Sequence, residues 1–250
     1  MRAGLPDFVR ARLDPEQRFG LRVSLLAAAF ILVTVPFATL LFQVLADGPV
    51  TRLDARVANR LNDAVHDHPG WLRFLEAISW LGRPLPLALL IALGAGWALR
   101  HGRRRVALYL VVTSASGGIV DSVVKILVDR PRPEVDHPVH TAFGKSFPSG
   151  HSMSSTICFG ALLLVYLAAV NRRWRPPVIA ATVLLVLAIG TSRLLLGVHF
   201  VSDVLGGFAL GLAWLFGATA LFEVWRQETG KRPSEPLEEG IEPEAGAALR

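Results

Sequence analysis

The residues of this sequence that could do chemistry lie in three short segments between positions 125 and 203. The first segment begins with Lys125 and continues to Arg130 and Arg132. Pro131 and Pro133 stiffen the backbone around the two arginines, which suits guanidinium groups held in place for a ligand. Charges at the end of an apolar stretch can also be simple interfacial anchors, so this segment alone leaves both interpretations open.

The second segment is the tetrapeptide Pro148-Ser149-Gly150-His151. Ser149 is a good N-cap for a helix that would start here, and Gly150 lets the backbone approach a ligand closely. The free N–H groups and the positive end of such a helix favour an anion. A capped helix with an unrelated histidine remains an alternative, because a four-residue motif is weak by itself.

The third segment runs from Ser192 and Arg193 to His199 and Asp203 through otherwise apolar sequence. His199 and Asp203 have the i, i+4 spacing, so on a helix they would share a face. A carboxylate partner fixes the tautomer of an imidazole and leaves the other ring nitrogen free to act. Taken alone, this pair could also be an interfacial ion pair.

The composition excludes the ordinary soluble classes. Of the 250 residues, 52% are hydrophobic and only 18% are charged. The mean hydropathy of +0.45 is too high for a typical soluble domain or a disordered chain. The single cysteine, Cys158, excludes an internal disulfide. Cations flanking membrane spans explain the net charge of +6 better than nucleic-acid binding does, because two tyrosines offer little surface for stacking bases.

Six apolar runs with few or no charges supply the elements that must position these residues. A bilayer core of about 30 Å needs about 20 apolar helical residues. The runs cover residues 23–46, 84–99, 106–124, 152–170, 176–192 and 204–222. A soluble domain could not cover so many helices that are apolar on all sides, so we predict an all-α bundle of six transmembrane helices.

The distribution of Lys and Arg predicts the orientation of the chain. These residues are more frequent in the segments that would share a side with both termini, which predicts cytoplasmic termini in a plasma-membrane protein. We expect a cytoplasmic segment of residues 1–22, a six-helix membrane domain of residues 23–225, and a disordered cytoplasmic tail of residues 226–250. All three chemical segments then lie at the extracytoplasmic membrane face.

An amphipathic helix is predicted between the first two spans. Leu53, Val57, Leu61 and Val65 recur every four residues, and charged side chains fill the other faces. Such a helix at the outer surface could be a lid over a site or a connector, and we favour the connector.

Convergence of the three segments on one face favours a site for a phosphate group. Lys125, Arg132 and Arg193 supply positive charge, and Arg is the preferred bidentate partner of phosphate oxygens. A histidine backed by a carboxylate and a second histidine suit a nucleophile and a general acid. A chance meeting of all three segments is much rarer than a chance occurrence of any one.

The pattern Lys-x6-Arg-Pro, Pro-Ser-Gly-His and Ser-Arg-x5-His-x3-Asp resembles the type 2 phosphatidic acid phosphatase superfamily, which also includes vanadium haloperoxidases and glucose-6-phosphatase. All three signatures are complete and in order between Lys125 and Asp203. The layout of six spans resembles the integral-membrane branch of this superfamily across about residues 20–225.

The resemblance implies a role for each signature residue. His199 would attack phosphorus and form a phosphohistidine, and Asp203 would hold its imidazole in the nucleophilic tautomer. His151 would protonate the leaving oxygen and then activate water. The residues that would bind the phosphate are Lys125, Arg132, Ser149, Gly150 and Arg193.

The resemblance also implies a lipid phosphatase acting on a phosphomonoester or diphosphate lipid, such as phosphatidic acid, phosphatidylglycerol phosphate or undecaprenyl diphosphate. No cofactor or metal is expected, because the sequence has no clustered Asp/Glu set for Mg²⁺ and because His137 and His140 lack a third ligand with suitable spacing. The expected partners are the bilayer and its lipid phosphate, with no nucleic acid. The sequence does not indicate an oligomeric state.

Other functions remain as alternatives. The nearest is a phosphotransferase that passes the phosphoryl group from the same phosphohistidine to an acceptor other than water. A transporter is disfavoured because Asp121, the ionisable residue inside a run, lies one turn from Lys125 and would pair with it. The composition rejects a soluble haloperoxidase, and the complete signatures disfavour a catalytically silent lipid-binding protein.

Overall fold

The computed structural model describes residues 21–231, Ser234 and Ile241, and this part of the chain forms eight α-helices and no β-strand. In chain order the helices are α1 (Leu21–Leu45), α2 (Pro49–Asp63), α3 (Pro69–Leu81), α4 (Pro84–Arg100), α5 (Arg104–Val128), α6 (Gly150–Tyr166), α7 (Arg175–Leu195) and α8 (Val201–Glu228). Two short 3₁₀ turns, Leu167–Ala169 and Arg172–Trp174, connect α6 to α7. The predicted all-α class is confirmed.

Five of the described helices are long and apolar enough to cross a bilayer, namely α1, α5, α6, α7 and α8. The remaining predicted span coincides with α4, whose 17 residues rise only about 25 Å at 1.5 Å per residue. Helix α4 reaches the length of a span only together with α3, and the two helices are bent by 44° at the break between them. Counted as one bent span, this pair completes the six spans that the sequence predicts.

Helix α6 lies at the centre of the bundle and is the most buried of the spans. It packs against α4, α5, α7 and α8, while α1 lies along α8. Ala98, Leu110 and Ala161 are fully buried in the core that α4, α5 and α6 share. Large apolar side chains such as Leu32 and Ile126 lie on the outer surface, where they suit contact with lipid tails.

Two glycines let α8 approach the start of α6 backbone to backbone. A Cβ on Gly207 would lie 2.6 Å from the carbonyl oxygen of Ser149, and a Cβ on Gly211 would lie 2.9 Å from that of Met153. A larger residue would push the helices apart, because the atoms that it meets belong to the backbone. The close contact fixes the N-terminus of α6 against the first half of α8, and both carry residues of the predicted site.

Helix α2 confirms the helix predicted between the first two spans, but its buried face is not the apolar one. Asp54, Ala58 and Asn62 are buried, whereas Leu53 is 54% exposed. The helix packs against α7 and α8 with this polar stripe, because the groups that it meets there are charged and polar. Helix α2 is therefore part of the packing around the site as well as a connection between spans.

Both predicted terminal segments fall largely outside the described residues, including positions 1–20. Helix α8 continues past the expected boundary at residue 225 and ends at Glu228. Farther along, the backbone N–H and hydroxyl of Ser234 donate to the carboxylate oxygens of Glu223 at 3.0 and 2.7 Å. Ile241 is buried in the core. The chain therefore packs against the helices at these two positions, and the proposed boundaries stay predictions.

Candidate active site

Arg132 is held in one orientation by main-chain carbonyls from two loops. Its Nε donates to the carbonyl of Gly144 at 3.1 Å and its Nη2 to that of Phe143 at 3.0 Å. Its Nη1 donates to the carbonyl of Val198 at 2.8 Å. Burial lowers the pKa of Arg132, and the charge of Asp203 opposes this shift. The guanidinium is therefore a fixed cation at the site, because arginine stays protonated in proteins.

His199 lies in the loop between α7 and α8 and is buried. Its Nδ1 lies 3.3 Å from Oδ2 of Asp203, and its Nε2 lies 3.1 Å from Nη1 of Arg132. Because a guanidinium can only donate, Nε2 is the acceptor and the ring proton is on Nδ1, facing the carboxylate. Burial lowers the pKa of His199 to about 4 against the opposing effect of Asp203. The imidazole is therefore neutral at neutral pH, and its Nε2 lone pair is directed at Arg132.

Asp203 lies in the first turn of α8 and is fully buried. Its Oδ2 accepts hydrogen bonds from the backbone N–H of Phe200 at 2.9 Å and from the hydroxyl of Ser146. Its Oδ1 accepts from Nη1 of Arg130 at 2.6 Å. These donors, together with Nδ1 of His199, occupy both oxygens and fix the plane of the carboxylate.

Arg193 and His151 reach the same end of the bundle from α7 and α6. Nη1 of Arg193 donates to Oγ of Ser79 at 2.5 Å, and a Cβ on Gly82 would lie 3.1 Å from Cδ2 of His151. Among the described residues, Nε of Arg193 and Nε2 of His151 are buried without a hydrogen-bond partner. Buried polar atoms of this kind are rare. A phosphate group has enough oxygens to bind both.

Ser149 is the N-cap of α6, as the sequence predicts, because its Oγ accepts from the N–H three residues later at 3.5 Å. Its own N–H donates to the carbonyl of Asp203 at 2.9 Å, which joins the second segment to the third. A Cβ on Gly150 would lie 2.9 Å from Nζ of Lys125. Lys125 pairs with Asp121 at 2.5 Å, which confirms the predicted intrahelical pair.

The structure brings the three predicted segments together where α5 ends and where α6 and α8 begin. Arg132 of the first segment contacts His199 of the third, and Lys125 lies beside the second segment at Gly150. The charges of both Arg132 and Arg193 act on the pKa of His199. Cations, a helix N-terminus and two histidines in one cluster suit the binding of a phosphate group and attack on it.

Comparison with known proteins identifies the family. Residues 106–227 match the model of the PAP2 superfamily. Decaprenylphosphoryl-5-phosphoribose phosphatase of Mycobacterium tuberculosis is 34% identical over 168 residues, and the match covers 64% of this chain and 85% of that protein. The chain belongs to the PAP2 superfamily. The resemblance drawn from the three signatures is thus confirmed.

Two further comparisons, one with a curated sequence and one with a crystal structure, agree with this assignment. Phosphatidylglycerophosphatase B of Bacillus subtilis is 35% identical over 133 residues, which cover 52% of this chain. The chain spans 64% of the length of that relative, slightly less than two thirds. The crystal structure of a transmembrane PAP2-type phosphatidylglycerolphosphate phosphatase from Bacillus subtilis matches with a TM-score of 0.69 at 25% identity, covering 77% of this chain and 95% of that one. The fold is therefore that of a transmembrane PAP2 protein.

Some polar residues around the PAP2 site were not predicted from the sequence. Asp54 of α2 is the clearest case, because it binds Nη2 of Arg130 at 2.9 Å although 76 positions separate the two residues. Ser79 and Ser146 likewise contact Arg193 and Asp203 from distant parts of the chain. One feature of the sequence could have pointed to Asp54. It shares a helical face with Ala58 and Asn62, and a face of small and polar residues can be buried against charged groups.

Two loop histidines of the PAP2 protein have partners outside the cluster. The ring of His137 stacks on that of His66 with 4.2 Å between the ring centres. Nδ1 of His140 lies 3.8 Å from Oε1 of Glu76. In the part of the chain that the structure describes, no three His, Cys, Asp or Glu side chains are grouped to hold a metal ion.

Proposed function

We propose that this PAP2 protein is an integral-membrane lipid phosphatase in which His199 forms a phosphohistidine. The observation that carries the proposal is the position of His199 between Asp203 and Arg132. Its Nδ1 faces Asp203, and its Nε2 keeps a lone pair beside Arg132. That arrangement is the one that a nucleophilic imidazole needs.

The reaction would proceed in two balanced steps. In the first, Nε2 of His199 forms a bond to phosphorus while the bond from phosphorus to the lipid oxygen breaks, and His151 donates a proton to that oxygen. In the second, His151 takes a proton from water, the water oxygen bonds to phosphorus, and the bond to His199 breaks. Inorganic phosphate leaves, and both histidines return to their starting protonation states.

Fixed positive charge would supply most of the catalysis. Phosphoryl transfer depends on positioning and on charge stabilisation more than on covalent chemistry by the protein. Lys125, Arg132 and Arg193 would bind the equatorial oxygens, with the Ser149 hydroxyl and the Gly150 N–H as further donors. Donors held in place before the reaction cost little reorganisation, as the three carbonyl contacts of Arg132 illustrate.

The substrate class follows from the position of the cluster at the ends of spanning helices. A phosphate attached to a lipid can reach such a site sideways from the bilayer. The names of the two relatives, a phosphatidylglycerophosphatase and a decaprenylphosphoryl-phosphoribose phosphatase, support a lipid phosphate. We infer phosphatidic acid, phosphatidylglycerol phosphate or undecaprenyl diphosphate as the substrate. The distribution of Lys and Arg supports cytoplasmic termini and an extracytoplasmic site.

Phosphate release by the detergent-purified full chain in excess EDTA tests the proposal. The three lipids are assayed in parallel, with His199→Ala as the inactive control. Denaturation of the wild type during turnover of a phosphorus-labelled lipid is expected to trap an acid-labile phosphoenzyme that His199→Ala does not form. A requirement for added Mg²⁺ would contradict the cation-based mechanism. Phosphoenzyme formation without release of phosphate to water would instead indicate transfer to another acceptor.

A further inference from the structure

A buried carboxylate outside the region matched by the PAP2 family binds the arginine that contacts Asp203. Asp54 belongs to α2, is 2% exposed, and precedes the matched residues 106–227. Its Oδ1 accepts from the backbone N–H of Ser202 at 3.1 Å. Its Oδ2 accepts from Nη2 of Arg130 at 2.9 Å and from the hydroxyl of Ser202. The reaction proposed above does not use this charge.

Arg130 divides its guanidinium between two carboxylates. Nη2 donates to Asp54, while Nη1 donates to Oδ1 of Asp203 at 2.6 Å and to Oγ of Ser202 at 2.7 Å. The planar group also lies over the ring of Phe200, with 4.2 Å between Cζ and the ring centre. Because a guanidinium is rigid, the contact of Nη2 fixes where Nη1 can reach. The contact with Asp54 therefore restricts how Arg130 can turn toward Asp203.

Because Arg130 binds Oδ1 of Asp203, it stays off Oδ2, which accepts from the Phe200 N–H, the Ser146 hydroxyl and Nδ1 of His199. Without Asp54, Arg130 could turn both of its outer nitrogens toward Asp203, in the bidentate pairing that arginine and carboxylates favour. Oδ2 would then share its charge with Arg130, and its hydrogen bond to Nδ1 of His199 would weaken. Loss of that bond would release the tautomer and the ring orientation on which attack depends.

We propose that Asp54 is a positioning residue, which acts through Arg130 to hold Oδ2 of Asp203 on His199. This inference rests on the proposed function, because the role is defined for that reaction. A second residue on the buried face of α2, Asn62, also contacts a loop next to the site. Oδ1 of Asn62 accepts from the backbone N–H of His137 at 3.2 Å, which ties α2 to the loop that follows Arg132.

Asp54→Asn tests the proposal, with Asp63→Asn as the matched control because Asp63 is an exposed carboxylate on the same helix. Initial rates are measured with phosphatidic acid on the detergent-purified full chain. We expect Asp54→Asn to lower kcat about 10- to 100-fold while KM stays within about twofold, since the change misplaces the nucleophile without removing a phosphate ligand. Asp63→Asn should match the wild type.

A double-mutant cycle with Arg130→Gln separates positioning from general support of the fold. If Asp54 acts through Arg130, the double variant loses no more activity than Arg130→Gln alone, whereas independent effects multiply. Additive losses would overturn the proposal, as would an Asp54→Asn enzyme with the rates of Asp63→Asn. Size-exclusion chromatography and thermal unfolding identify the folded variants. Asp54→Glu keeps the charge but displaces the carboxylate, so it should fold and show a smaller loss of kcat.

The variant His199→Ala separates a failure of the role of Asp54 from a failure of the proposed function. Activity in His199→Ala would overturn the proposed function itself. An inactive His199→Ala together with a fully active Asp54→Asn would leave the proposed function standing and would overturn only the role of Asp54.

Discussion

Nη1 of Arg132 lies 3.1 Å from Nε2 of His199, so a cation stands at the nitrogen that would attack phosphorus. The same Nη1 also donates to the carbonyl of Val198 at 2.8 Å. Because Nη1 is held by the Val198 carbonyl, the hydrogen bond that it donates to Nε2 fixes the direction of the Nε2 lone pair. In the proposed reaction a phosphate oxygen would accept from Nη1 in place of Nε2, which would free the lone pair of Nε2 for attack on phosphorus.

Arg132→Lys should lower kcat/KM for the preferred lipid phosphate about 100- to 1000-fold. A lysine ammonium has three donors on one nitrogen and cannot make the four contacts that Arg132 makes from three nitrogens, so the charge would remain but its position would be lost. Steady-state rates with purified protein measure the effect. Arg52→Lys, at an exposed position of α2, is the control and should leave the rates unchanged. Rates of Arg132→Lys close to wild type would mean that positive charge alone is sufficient.

The low pKa of His199 predicts that the folded protein loses stability in mild acid. The pKa is about 4 in the folded state and 6.5 ordinarily, because burial disfavours the charged ring. Between these values the unfolded chain binds a proton that the folded protein does not bind. The free energy of unfolding should therefore fall as the pH decreases from 6.5 toward 4, by at most ~3.4 kcal/mol from this residue.

Thermal unfolding of the wild type and of His199→Gln at pH 7 and pH 4.5 measures this contribution. Glutamine cannot take up a proton, so the melting temperature of the wild type should fall further on acidification than that of the variant. Equal decreases in the two proteins would show that other groups determine the acid sensitivity.

The spans could be predicted from the sequence because a bilayer imposes a minimum length on apolar runs. The helix pair α3 and α4 was harder to predict, because Arg73 and Glu76 lower the hydropathy of α3 and Pro84 starts a new helix. The buried faces of the helices could not be predicted either. Lipid tails are as apolar as the core, so Ile126 at the surface and Leu110 in the core look alike in the sequence.

The centre of the site could be predicted because each of its three segments is local in the sequence. His199 and Asp203 share a helical turn, and Ser149 precedes the helix that it caps. The residues that hold the site residues in place could not be predicted, because they contact them only after the chain has folded. Asp54 meets Ser202 across 148 positions, and no spacing rule connects residues so far apart.

Gly207→Ala should destabilise the protein by about 1–3 kcal/mol and lower its activity. The added Cβ would lie 2.6 Å from the carbonyl oxygen of Ser149, so α8 would have to move away from the N-terminus of α6. Gly118→Ala in α5 is the control, since a Cβ there meets nothing within 4 Å. Thermal unfolding and phosphate release are measured on both variants. A Gly207→Ala protein as stable and active as Gly118→Ala would contradict the close packing of α6 and α8.

An exposed arginine, Arg83, lies at the break between α3 and α4. Arg83 is the N-cap of α4 and directly follows Gly82, which packs against the ring of His151. Burial is the largest cause that lowers the pKa of His140, and the charges of Arg193 and Arg83 add to it. The charges of Arg83 and Arg193 therefore both reach His140.

Arg83→Gln should raise KM about two- to fivefold and leave kcat unchanged, because an exposed cation contributes to attraction rather than to the chemical step. The effect should be larger for a diphosphate lipid than for a monophosphate, and it should shrink at high ionic strength as salt screens the charge. Arg73→Gln removes an exposed cation from α3 and serves as the control. A loss of kcat in Arg83→Gln would place this residue in contact with the transferring phosphate, and equal KM values in the two variants would exclude a role in substrate capture.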